Sequence, residues 1–281
     1  MTQRNRLGGL VSTVMGVSMV LVANAQAEDV EGSVFLEGPN NETIFSYSGE
    51  TNPRSWGDLD PAWTVCGDGS AQSPIDIEVL GAAKRNLRGV AFSYQSSPIT
   101  VLNNGHTIEF KYEAGSSIRV GRNQFELLQF HFHTPSEHTF EDGAHFPVEM
   151  HLVHKASDGR IAVVAVMIRA GAHNANWPDA DRLAQMLPRI AGVEYELEAD
   201  IDAGRLIPAD HRTFRYRGSL TTPPCSEQVR WFVLDEPMQM SEAQLSVLVK
   251  ALGQLRFASV TGTNNRPTQP LNGRRIRLDR R

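Results

Sequence analysis

Positive charge is in short supply. Lys and Arg number 27 against 32 Asp and Glu, a formal net charge of −5 at pH 7. Binding a phosphate backbone depends on clustered Lys and Arg, so nucleic acid is disfavoured as a partner. The exception is a basic C-terminal run, Arg274, Arg275, Arg277, Arg280 and Arg281, which reads as a solvated tail or an edge strand. Cysteine is scarce as well: Cys66 and Cys225 are the whole complement, too few for a disulfide-dense scaffold. No internal repeat, low-complexity tract or interior linker divides the 281 residues, so a solenoid is excluded and one domain is the economical reading. The one long apolar stretch, Leu7 to Ala23, is broken by Ser12, Ser18 and several glycines. It is short for a stable span, and no stable membrane anchor is expected.

What stands at the N-terminus instead is a secretory pattern. Arg4 and Arg6 precede the apolar stretch, and Ala25-Gln26-Ala27 supplies the small residues that a signal peptidase needs. Residues 1–27 are expected to be removed near Ala27, leaving 28–281 as one domain in the periplasm or outside the cell. That cleavage takes two arginines and no acid, so the net charge becomes −7. In an exported chain an even pair of cysteines suggests a disulfide. Closing so long a loop stabilises by roughly 4–5 kcal/mol in the chain-entropy model.

Residues 28–60, with Phe45, Tyr47 and Trp56 among Gly, Pro, Asn and Ser, read as an irregular arm packed across something larger. Short β-branched and aromatic segments follow. Ile99–Leu102 and Thr107–Tyr112 flank Asn103-Asn104-Gly105-His106, and Asn-Gly between apolar alternations predicts a hairpin. Further strands are expected at 117–120, 124–133, 149–155, 212–217 and 229–234, and at 161–169, where a nearly continuous apolar run reads as buried on both faces. Helices are few: 179–187, before Pro188, and 241–252, with Ser241 and Gln244 at capping-box spacing and Gly253 as the stop. The fold class is therefore mainly β, mixed α+β.

The chemistry centres on Gln129-Phe130-His131-Phe132-His133 and Glu149-Met150-His151. In an extended chain alternate side chains share a face, so His131 and His133 project together and Phe130 and Phe132 point the other way. His151 completes a trio if its strand lies alongside. Three neutral imidazoles with a fourth position open are what a catalytic zinc requires; ligand type alone does not exclude copper or nickel. Gln129 and Glu149 each stand two residues before a histidine, where they can accept its free ring N–H and fix the tautomer. Ser219-Leu220-Thr221-Thr222-Pro223-Pro224-Cys225 is stiffened by consecutive prolines. It reads either as a rigid turn or as a mount for a threonine hydroxyl whose proton goes to a carboxylate, Glu137. His138 and His154 are expected to be packed or hydrogen-bonding residues, and His145, His173 and His211 loop residues.

These runs, with SPIDI at 73–77, NNGH at 103–106, QFHFHTPSEHT at 129–139, EMHLVHK at 149–155 and RPTQPLNGR at 266–274, resemble the α-class carbonic anhydrases, specifically their exported bacterial members, over about residues 42–277. The resemblance implies a single domain on a large, mostly antiparallel twisted sheet with a few short peripheral helices. It implies Zn2+ on His131, His133 and His151, with Gln129 and Glu149 behind them, and reversible hydration of carbon dioxide to bicarbonate. Thr221 and Glu137 become the pair that orients the attacking hydroxide, and Thr222 helps to hold bicarbonate. His106 becomes the proton shuttle, with Tyr47 and Asn104 in its water network. Val153, Val163, Leu220, Val229 and Trp231 line the apolar pocket, and Cys66 and Cys225 match the disulfide of exported members. Relatives of this type often form dimers. Two departures stand out: Phe45 where many relatives have Trp, and Glu109 where many have a neutral amide, a charge able to perturb His106. One alternative is a catalytically silent relative serving as a binding module. Another is an iron oxygenase, against which counts the lack of an added carboxylate near the His pair.

Overall fold

Strict alternation builds the sheet. In Ile99–Asn103 and Ile108–Tyr112 every second residue is buried and the others are half exposed, as a pleated strand with one covered face demands. The two form the expected hairpin, with Gly105 at φ +86° in a conformation that glycine adopts without steric cost. The computed structural model describes residues 43–280, which form one unit. Their main sheet has thirteen strands. Ten of them follow one another in the order Glu194–Glu196, Ile99–Asn103, Ile108–Tyr112, Asn123–His133, Val148–Lys155, Ile161–Ala170, Glu227–Leu234, Thr213–Ser219, Arg277–Asp279, Ala83–Arg85, and Val90–Ser93, Ser117–Val120 and Met238–Met240 pair off this path. Most neighbours are antiparallel. Parallel pairs join Ile161–Ala170 to Glu227–Leu234 and to Met238–Met240, and Arg277–Asp279 to Ala83–Arg85.

Each face of the sheet carries its own apolar cluster. One holds Phe110, Phe130, Phe132, Leu152, Val164 and Phe232, together with Leu245, Leu248 and Leu252 of the helix Glu242–Gly253. The other holds Val163, Ala165, Phe214, Tyr216, Val229 and Trp231. Ile161–Ala170 runs between them and is buried from Ala162 to Ile168, as its unbroken apolar run predicts.

Both expected helices form. Ala180–Met186 is capped by Asp179, which accepts the Arg182 N–H at 3.0 Å. In Glu242–Gly253, Ser241 and Gln244 close a reciprocal capping box, and Gly253 is the last helical residue, one place beyond the expected end.

Two expectations change. The described part of the arm contains a turn of helix at Trp56–Leu59, fixed by Trp56, whose buried indole N–H donates to the Ser46 and Thr51 carbonyls. Arg277–Asp279 is neither tail nor edge: it pairs on both sides, because Leu278 and Asp279 are buried. The expected signal segment, residues 1–27, and the arm before Thr43 lie outside the described residues. Among the described residues no helix is long and apolar enough to cross a membrane.

Candidate metal centre

Register brings the three histidines together. His131 lies directly opposite His151 in the antiparallel ladder, and His133 follows two residues on from His131 along the same face. Their ring centroids are 4.8 to 5.3 Å apart. Each ring has one nitrogen taken. Nδ1 of His131 is 2.8 Å from Gln129 Oε1, Nδ1 of His133 is 2.7 Å from the Asn264 carbonyl, and Nε2 of His151 is 2.7 Å from Glu149 Oε1. Those oxygens only accept, so each contacted nitrogen carries the ring proton. What remains is Nε2, Nε2 and Nδ1, three bare lone pairs. The three residues offer ligand atoms within 4.8 Å of one another. His133 Nε2 is buried with no hydrogen-bond partner, an orphan that a metal would satisfy.

The electrostatics favour the neutral ring at His131 and His133, while His151 is pulled the other way by a carboxylate. Burial, then the neighbouring His133 and His151, hold His131 well below the ordinary histidine value. Burial also lowers His133, against an opposing pull from Glu137. In His151 burial is outweighed by the Glu149 carboxylate, and the net shift is upward. Glu149 is fully buried and accepts four hydrogen bonds, two from the backbone N–H groups of Glu137 and His138 and two from the His138 and His151 rings. Burial alone would raise it; His138 and His151 outweigh that and keep it well below the carboxylate range.

Gln129 and Glu149 therefore stand where the spacing placed them. His138 is a hydrogen-bonding residue as expected, joining Glu149 at 2.6 Å to the Tyr216 hydroxyl at 2.7 Å. Sequence reasoning missed the Asn264 carbonyl behind His133, because a backbone acceptor leaves no side-chain signature. Arg266 was missed in the same way: its N–H donates to Glu137 Oε1 at 2.9 Å. Its fully buried guanidinium binds the carbonyls of Cys66 and Ser73 and the side chain of Gln72.

Glu137 is fully buried, and its second oxygen, Oε2, has no partner and lies 3.9 Å from His151 Nδ1. Thr221 is buried in the loop after Ser219, but no hydrogen bond joins its hydroxyl to Glu137 among those of the described residues. The loop is pinned by Cys225, bridged to Cys66 across 159 residues. Thr222 sits at its turn, its carbonyl accepting the Cys225 N–H at 2.9 Å.

The five expected wall residues meet. Val153 opposes Val163, which pairs with Trp231, so they form an apolar row next to the His151 row. Leu220 and Val229 join the same cluster. His106 lies between two rings, Phe45 at 3.8 Å and Phe257 at 4.5 Å, and its Nε2 is 2.8 Å from the Phe45 carbonyl. Burial lowers its pKa. Asn104 shapes the turn, its Oδ1 accepting the N–H groups of His106 and Thr107. The Tyr47 hydroxyl is buried without a partner. Glu109 lies opposite His131, and burial raises its pKa.

Residues 51–280 match the family model described as eukaryotic-type carbonic anhydrase. A carbonic anhydrase of Klebsiella pneumoniae is 41% identical over 232 residues, 82% of this chain and 89% of that protein. The solved α-carbonic anhydrase of Thermovibrio ammonificans, in complex with the inhibitor sulfanilamide, superposes with a TM-score of 0.76 at 41% identity, over 83% of this chain and 98% of that one. Dioscorin DB3L of Dioscorea polystachya is 35% identical over 250 residues, 84% of this chain and 86% of that protein. The matched span contains every histidine of the centre and the loop of Thr221, and on this footing the chain belongs to the α-carbonic anhydrase family of enzymes.

Proposed function

We propose that the chain catalyses the reversible hydration of carbon dioxide to bicarbonate and a proton, with Zn2+ held by His131 Nε2, His133 Nε2 and His151 Nδ1. One observation carries this: each of the three rings has its other nitrogen occupied by an acceptor, so the bare nitrogens converge. Zinc bound there would supply Lewis acidity, lowering the pKa of a water toward about 7 so that a nucleophile exists at neutral pH.

The protein's own groups do the rest. Thr221 Oγ1 would donate its hydrogen bond to the unpartnered Oε2 of Glu137, so that it presents only lone pairs toward the attacking oxygen and directs that oxygen's free pair at carbon. Catalytic hydrogen bonds are often loose before substrate binds and tighten in the reacting complex. Arg266 supports the pair by fixing the other oxygen of Glu137. Val153, Val163, Leu220, Val229 and Trp231 offer an apolar wall to an uncharged substrate. The backbone N–H of Thr221 and the side chain of Thr222 hold the anion that forms. The proton leaves through His106, with Tyr47 and Asn104 ordering the water between. Export of residues 28–281 after cleavage near Ala27 fits the Cys66–Cys225 bridge, which an oxidising compartment preserves.

A second reading, a silent binding module, is motivated by the likeness to dioscorin, which has been solved in complex with ascorbate. The intact His trio and Glu137 weigh against it. The two part in a stopped-flow pH-indicator assay: chelator-sensitive hydration by zinc-loaded protein supports the enzyme, and zinc-loaded protein without hydration supports the module.

A further inference from the structure

On the sheet face opposite the metal centre, arginines are set against one another. Arg217 is directly across from Arg230, and Arg277 is directly across from Arg215, two residues before Arg217 on the same strand. Directly opposed residues of an antiparallel pair share a face, so four guanidiniums project together, and like charges so placed destabilise a sheet. Arg274 and Arg275 complete the lining of a groove of about 530 Å³ to which no carboxylate contributes.

Of the nearby acids, Asp279 is taken up by Arg215 at 3.2 Å, which leaves the other three strand arginines without it, and Asp158 pairs with Arg160 at 2.7 Å. Glu227 acts on Arg274, whose donors are already given to the Leu271, Arg217 and Pro270 carbonyls. Arg275 and Arg277 have no hydrogen bond or ion pair among the described residues, Arg217 has one bond of 3.3 Å to Gln228, and Arg230 rests over the Phe125 ring. Burial, then Arg160 and Arg217, lower the pKa of Arg230 against a weaker opposing pull from Asp158, as expected where cations are crowded together. General basicity does not explain the cluster, because the chain as a whole is acidic.

We infer that this groove is a binding site for a phosphate-class polyanion, gripped between the opposed forks of Arg217 and Arg230 and closed by Arg275 and Arg277. Guanidinium forks match phosphate oxygens two at a time. A phosphate with three or four oxygens can use donors from both strands at once. The bound anion relieves the repulsion built into the register. Arg217, Arg230 and Arg277 lie on the sheet face away from the histidines, so the proposed grip is separate from the hydration chemistry.

The test uses the zinc-loaded mature protein at low salt, with trimetaphosphate, a weak chelator, as the soluble probe in calorimetry. Phosphatidylglycerol vesicles against phosphatidylcholine vesicles, in cosedimentation, probe a lipid headgroup. The expected result is binding to trimetaphosphate, to phosphatidylglycerol, or to both, weakened at least tenfold in Arg217→Gln/Arg230→Gln with carbon dioxide hydration unchanged. Binding to only one of the two identifies the source. The double variant should melt no lower than the parent without anion, because it removes a like-charge pair; Arg277→Gln serves as a second, single change, expected to weaken binding severalfold. Binding to neither probe, equal binding by these variants, or preference for poly-glutamate over trimetaphosphate would overturn the assignment.

Discussion

Glu149→Gln changes one atom of a side chain that no solvent reaches, and its effect should be felt on a metal held by another residue. The carboxylate now accepts two backbone N–H groups at Oε2 and two ring N–H groups at Oε1, at 2.6 to 2.8 Å. An amide has one accepting oxygen and a donating NH2. Facing the backbone, the NH2 would strand two buried N–H groups, which cannot change their chemistry. Facing the rings, it meets histidines that can shift a proton to the opposite nitrogen. The second arrangement costs less, and it places a proton on His151 Nδ1, the nitrogen proposed to hold zinc. Metal must then displace that proton or break the new hydrogen bonds. Loss of such a supporting partner weakens metal affinity about 10–100-fold, roughly 1.4–2.7 kcal/mol. Competition against a chromophoric chelator at pH 7.5 reads this directly. An affinity within twofold of the parent, in a variant that melts cooperatively, would refute the tautomer argument.

Three further outcomes follow from named contacts. His106→Ala should slow turnover in dilute buffer, with recovery on adding imidazole; unchanged turnover would remove His106 from the shuttle role. Reducing the Cys66–Cys225 bridge, which closes a loop of 159 residues, should cost up to about 5 kcal/mol, roughly 10–20 °C in Tm for a domain of this size, and should depress activity by loosening the Thr221 loop; a melting point indifferent to dithiothreitol would count against it. His154 is buried neutral with its pKa lowered to about 3, its Nε2 2.8 Å from the Tyr94 hydroxyl. Below an unfolded value of about 6.5 the unfolded chain binds a proton that the folded one refuses, so stability falls with pH from there down to about 3, by up to roughly 1.4 kcal/mol per unit. The chemical-denaturation profile of His154→Leu should be flatter over that window, though lower at pH 7 because Tyr94 loses its partner. A slope unchanged by the substitution contradicts the assignment to His154.

Period-two patterning made most of this legible from residues alone. The hairpin around Gly105, the doubly buried strand after Ile161, the facing of His131 with His133, and the partners Gln129 and Glu149 are local consequences of an extended chain, and the structure has each of them. Register is not local. That His131 falls opposite His151 could be stated only as a condition, since one residue of slip would have turned a ring to the other face. Backbone acceptors and donors were invisible for a different reason: the carbonyl of Asn264 and the N–H of Arg266 do their work whatever side chain they carry. The basic C-terminal run was misread because its charges hide the two buried residues that make Arg277–Asp279 an inner strand. The neighbour that turns Arg217 and Arg230 into an opposed pair is likewise a product of register.

The central claim is that one zinc per chain, on these three histidines, makes the protein a hydratase. Its most direct test is a titration of metal-depleted protein with Zn2+, following initial rates of carbon dioxide hydration by stopped flow. The rate should rise linearly and break at one equivalent, and His151→Ala should show neither the rise nor the break at the same zinc concentrations. Hydration at full rate in the metal-depleted protein, or an unaltered break in His151→Ala, would contradict the account.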